Sequence, residues 1–296
     1  MVEGYIMRKI LHPGPVAPER VAAVSGSPVR LRFTLEPGCA VDEAITKGFE
    51  EAGCMGGFVF LQGGRFEPFK YVIPAASPDA LHAAWYSATF EPEGAVEIVR
   101  AGAIVGFRDG KRFIHCHGIW DTAEGPRMGH MLARDTKIVD PIEVTGIGMK
   151  DAAFQAIPDA ETNFTLFEPV TAPGGQAGAG GQRTLIAKVR PNEDVSVAIE
   201  SICSMHGIQA ANVFGIGSLN EVHFVGGSFV KSYATEVLIR RGTVARVDGQ
   251  PRARLEIDVV DMDGRIFSGE ILRGDNPVCV TFELVIEAIE QDAGPA

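Results

Sequence analysis

The chain has 296 residues, enough for two domains with separate cores, and its 46% apolar and 22% charged content is that of a globular protein. Its formal charge is −11, with 16 Lys and Arg against 20 Asp and Glu up to position 160 and 11 against 18 after it. That balance disfavours nucleic acid as a partner, because such binding draws on Lys and Arg to neutralise phosphates. Five widely spaced cysteines without a CxxC pair fit a reducing compartment. The absence of a signal-like N-terminus or a ~20-residue apolar span makes a cytoplasmic protein without a membrane partner the expectation.

In chain order, residues 38–60 read as an amphipathic helix and a strand. Val41, Ala44, Ile45, Gly48, Phe49 and Ala52 recur at helical spacing, and Gly53 suits a left-handed helix end. Residues 72–92, with Pro74, Pro78, His82, Trp85 and Tyr86, have no later counterpart and read as a cover over a site or a surface excursion. The runs AVEIVRAGAIVGF, KRFIHCHGIW, RMGHMLA and KIVDPIEVTGIGM then suit strands joined by turns. TAPGGQAGAGGQR, residues 171–183, has a linker's composition.

Residues 192–214 then repeat residues 38–60 without a gap. Val41 aligns with Val195, Ala44 with Ala198, Ile45 with Ile199, Gly53 with Gly207, and Val59-Phe60 with Val213-Phe214. Asp109-Gly110 and Asp248-Gly249 mark matching turns before matching strands. The expected fold class is α/β (α+β), with two tandem domains, each a mainly antiparallel sheet with a packed helix. The expected division is a first domain over 1–170, a linker over 171–183 and a second domain over 184–296.

The chemistry concentrates in FIHCHGIWD and the returning RMGHM. Alternation along a strand sends His115 and His117 to one face and Cys116 to the other. If Trp120 lies opposite Arg127, His117 lies opposite His130, and three imidazoles share one face of a hairpin. Three neutral imidazoles suit a zinc ion with an open fourth position, and iron, nickel or cobalt fit the same ligands. The second copy has Arg254, Glu256 and Glu270 at these positions, so one metal per chain is expected, in the first copy, set against a buried polar cluster without metal.

The helix, the segment VFGIGSL (213–219), the D-G turn with FIHCH, and GHML together resemble the PPC domain, the plant and prokaryote conserved family. The likeness runs over about residues 25–150 and 182–290. In the first copy Gln62-Gly63-Gly64-Arg65 replaces the GIGS of the motif. The resemblance implies an antiparallel α/β fold, usually a trimer, and zinc on His115, His117 and His130. It also carries a DNA-binding association, but this chain lacks the Arg-Gly-Arg-Pro hook of plant members.

Around the histidines, Asp121 and Glu124 are candidate catalytic bases, set against a role in solvating their turn. Arg65 and Arg127, with Lys70 and Lys111, are candidate contacts for an anionic substrate, set against ordinary surface charge. Cys116 reads as a buried apolar group, and His12 as a turn residue that could approach a site. Gly215-Ile-Gly217 lacks the third glycine and the βαβ setting of a dinucleotide loop. The expected function is a metal-dependent enzyme or binding protein for a small anionic molecule. The contrasting expectations are a transcription-associated DNA-binding regulator, and a structural module whose metal only stiffens a hairpin.

Overall fold

The computed structural model describes residues 8–172 and 183–289. Most of the expected linker, 173–182, lies outside the described residues.

Helix α1 (Val41–Glu51) buries Val41, Ala44, Ile45, Gly48 and Phe49, the stripe that the spacing predicts. Helix α2 (Val195–Met205) is its repeat, and Asp194 caps it by accepting the Val197 N–H at 2.9 Å. Gly53 and Gly207 follow the two helices at φ 67° and 66°, where a side chain would be strained.

Each helix covers one sheet. The first sheet runs Pro28–Leu35, Ile142–Met149, Gly56–Leu61, Val96–Arg108, Lys111–Thr122, Gly125–Met131 and Tyr71–Val72. The second runs Val21–Gly26, Thr184–Val189, Val278–Ala288, Ala211–Leu219, Glu236–Val247, Gln250–Val260 and Ile266–Glu270. Six strands in each follow the same order, which makes the two units copies of one fold.

One strand crosses the expected domain boundary. Val21–Gly26 pairs antiparallel with Thr184–Val189, from Val21↔Val189 to Gly26↔Thr184, so it belongs to the second sheet rather than to a domain over 1–170. The physical reason is an edge: Thr184–Val189 has one free side, and the early strand fills it.

Alternation gives each strand two buried faces. In the first unit Val59, Ala103, Cys116 and Trp120 point into the core under α1. Their neighbours Phe58, Ile104 and Ile119 point the other way and pack on Ile216, Leu238 and Val285 of the second unit. The layers are therefore helix, sheet, sheet, helix, with an apolar seam in the middle. Phe58 stacks on Phe214 across it, with centroids 6.0 Å apart. Arg100 also crosses the seam. It donates from Nε and Nη2 to the fully buried Asp258 at 2.6 and 2.9 Å, and Ser268 Oγ donates to the same carboxylate at 2.6 Å.

Candidate metal centre and cavity

The hairpin of Lys111–Thr122 and Gly125–Met131 has the expected register, with Trp120 opposite Arg127 and His117 opposite His130. His115 and His117 share the face of Ile119, which is the seam face, and Cys116 turns into the core. Burial pushes the Cys116 thiol up to about 12, so it is an inert apolar group. Opposite His117 on the neighbouring strand stands Gly102. A Cβ there would lie 2.4 Å from the Phe58 ring and 2.8 Å from Leu238 Cδ1, so glycine lets the second unit close on the histidines.

The second unit completes the cluster. His115, His117, His130 and Glu236 have ligand atoms within 4.8 Å of one another. Glu236 Oε2 is 2.7 Å from His117 Nε2. His117 Nδ1 lies 3.0 Å from the Val237 carbonyl, which only accepts, so the proton is on Nδ1 and Nε2 offers a lone pair when neutral. His115 Nδ1 donates to Glu283 Oε2 at 2.6 Å, which gives its Nε2 the same role. These two Nε2 atoms are 2.9 Å apart. His130 Nδ1 is buried without a hydrogen-bond partner.

Electrostatics agree with the geometry. Burial opposes protonation of His117, but Glu236, the Val237 carbonyl and Glu283 outweigh it and raise its pKa, so the gap beside Glu236 attracts positive charge. His130 is held well below the usual histidine range by burial and then by His115 and His117, which keeps it neutral. The donor set therefore fits a borderline transition-metal cation: imidazole nitrogens, one carboxylate, and an otherwise unpartnered buried nitrogen.

A cavity of about 520 Å³ adjoins the cluster, within the usual range for small-molecule sites. Residues 72–92 act as its cover, since His82, Trp85 and Tyr86 line it and Tyr86 packs on His130 at 5.3 Å. The second unit supplies Ser218, Thr235 and Cys279 to the wall. His12 is buried and bonds the Cys279 carbonyl at 2.8 Å, so the N-terminal arm braces that wall rather than reaching the cluster.

The other residues singled out from the sequence lie elsewhere. Asp121 is exposed, four residues past His117 and therefore ~13 Å along the strand. Glu124 is exposed in the turn and pairs with Arg127 at 3.1 Å. Arg65 pairs with Asp140 at 2.7 Å on the surface. None of these four residues lines the cavity, and neither do Lys70 and Lys111. The charged groups that do include Arg108, Arg134, Glu236 and Glu283. A signal for Glu283 was present, because it interrupts the apolar run VCVTFELVI of a strand buried on both faces.

Comparisons with known proteins bear on the second unit most directly. Residues 176–290 match the model of the Plants and Prokaryotes Conserved (PCC) domain. No curated protein matches the chain. Among solved structures, it is similar to a plant- and prokaryote-conserved protein from Pyrococcus horikoshii (17% identity, TM-score 0.39, covering 53% of this chain and 99% of that one). It is also similar to a metal-containing protein from Archaeoglobus fulgidus (20% identity, TM-score 0.38, covering 51% and 99%). A candidate DNA-binding protein from Bacteroides thetaiotaomicron is a further neighbour (19% identity, TM-score 0.33, covering 36% and 79%). Residues 176–290 therefore carry a Plants and Prokaryotes Conserved domain.

Proposed function

We propose that His115, His117, His130 and Glu236 hold one divalent transition metal per chain, zinc by donor type, and that the chain uses it on a small anionic molecule in the adjoining cavity. One observation carries this reading. The His115 and His117 Nε2 lone pairs and the Glu236 carboxylate converge within hydrogen-bond distances, yet the hydrogen bonds at the two Nδ1 atoms leave no donor among them in the neutral state. Three acceptors at such distances repel unless positive charge sits between them, either a metal ion or the proton that Glu236 draws onto His117.

A zinc ion held there supplies Lewis acidity towards an oxygen-bearing ligand. The chain's own residues do the positioning. Glu283 and the Val237 carbonyl fix the tautomer and plane of two imidazoles. Tyr86 covers His130. Its phenol is held above the usual range by burial and by the Glu236 and Glu283 carboxylates, so its hydroxyl stays protonated and can donate.

The number of donors supports a second reading. Three imidazoles and Glu236 would supply four protein donors, the number that structural zinc sites use, and the metal would then only clasp the two units. Substitution with cobalt separates the two. An open position gives a visible spectrum that shifts when azide is added, and a closed one gives a spectrum that azide leaves unchanged. Elemental analysis showing no metal after loading and desalting would end both readings.

The reading includes association of chains, a trimer by resemblance. Its support is the second unit's hairpin with Arg254, Glu256 and Glu270, which repeats a surface that the first unit buries and which stays partly exposed.

A further inference from the structure

Several polar groups on the cavity wall are already engaged. Thr235 Oγ1 donates to the Leu219 carbonyl, Ser218 Oγ accepts from Val280 N–H, and Arg134 pairs with Asp42 at 3.1 Å. Arg108 differs. Its nearest carboxylate among the described residues is Asp109, 3.9 Å away and 91% exposed, a contact worth almost nothing in water. Its guanidinium lies 5.5 Å from the Phe113 ring centroid, on the cavity wall, and its charge reaches the Tyr86 phenol.

Beside it the wall is aromatic. Trp85 and Phe164 stack at 5.3 Å with 27° between their planes, and both line the cavity. Trp85 is 38% exposed despite its size, with the His82 ring 4.4 Å away, so part of its surface stays open beside the Phe164 stack. A single free guanidinium with a planar fork matches one carboxylate better than a phosphate dianion, which takes several donors or cations.

We propose that the cavity takes a single-ring aromatic carboxylic acid, with its carboxylate on Arg108 and its ring against the Trp85–Phe164 wall. The proposal names the ligand class for the cavity reading given above and rests on it.

Calorimetric titration of the full chain tests it, with and without zinc. The probes are 4-hydroxybenzoate, its methyl ester and cyclohexanecarboxylate. The acid is expected to bind about tenfold or more tighter than the ester, the worth of a charge-assisted hydrogen bond. It should exceed the saturated ring by about two- to tenfold through stacking. Arg108→Gln should erase the margin over the ester while leaving the ester's own affinity unchanged, which also shows that the variant is folded. Trp85→Leu should erase the margin over the saturated ring. Arg65→Gln, outside the cavity, should change neither. Equal affinity for acid and ester, or no binding of the acid, overturns the proposal. Discrimination that persists in a protein unable to hold zinc removes the metal reading and leaves this one. Zinc bound at one per chain without discrimination removes this one alone.

Discussion

The two units share a strand order and part at one hairpin. In the first, paired positions 117 and 130 carry imidazoles that the second unit covers. In the second, the paired positions are Glu256 and Glu270, and Arg254 stands where the first has His115. These side chains satisfy one another, with Arg254 at 2.6 Å from Glu270 and Arg240 at 2.9 Å from Glu256. The difference teaches that the covering surface decides the chemistry. Out of water, imidazole nitrogens beside a carboxylate make a candidate cation site. Left wet, the same places are served by ion pairs of small energetic worth.

Four tests would break or sharpen that contrast. The largest effect is expected from His117→Ala, which should abolish stoichiometric zinc binding, whereas Glu256→Ala should leave the metal content of the chain unchanged. Elemental analysis of both variants after desalting gives the answer, and metal retained in the first would erase the contrast.

Next comes the seam itself. Arg100→Met strands the buried Asp258 carboxylate with only Ser268 as a partner, and should cost about 3–5 kcal/mol in urea unfolding. A cost under about 1 kcal/mol would mean that water reaches Asp258 and that the seam is not dry.

Glu283→Gln should weaken zinc about 10–100-fold while keeping one site per chain, since it takes away the acceptor that orients His115. Competition with a chromogenic chelator measures the change, and an unaltered affinity would deny Glu283 that part.

The smallest effect concerns pH. Burial pushes Asp159 up, but Lys188 and then the Thr162 and Arg190 hydrogen bonds outweigh it and lower its pKa from 3.8 to about 2. A depressed carboxylate stabilises the fold above its unfolded value, and that stability is lost as pH falls from about 4 to about 2. Asp159→Asn should remove about 2 kcal/mol at neutral pH and flatten the decline between pH 4 and 2, as followed by thermal unfolding. An unchanged slope would assign acid sensitivity to other carboxylates.

Much of this could be read from the chain. Helical spacing placed Val41, Ala44, Ile45 and Phe49 on one buried stripe. Strand alternation separated His115 and His117 from Cys116, and the repeat found Glu256 and Glu270 as a matching pair. What escaped was the other half of the site. Glu236 and Glu283 meet the histidines because two sheets pack face to face, and no local spacing encodes that docking. Asp121, Glu124 and Arg127 stood out because they are close in sequence, yet each pair of residues along a strand adds ~6.6 Å. Arg108 reaches the cavity from the preceding strand, which the same alternation pattern does not mark.

Strand Val21–Gly26 precedes the first helix yet finishes the second sheet with a six-residue ladder. The two units are thus braided rather than strung in series. A protease that severed the backbone within 173–182 would produce two fragments, one lacking its outermost strand and the other carrying that strand as an arm. Neither would be whole alone. The nicked particle should run at its uncut mass on a sizing column and come apart only in denaturant, so the glycine-rich segment is covalent continuity rather than the bond that keeps the halves together.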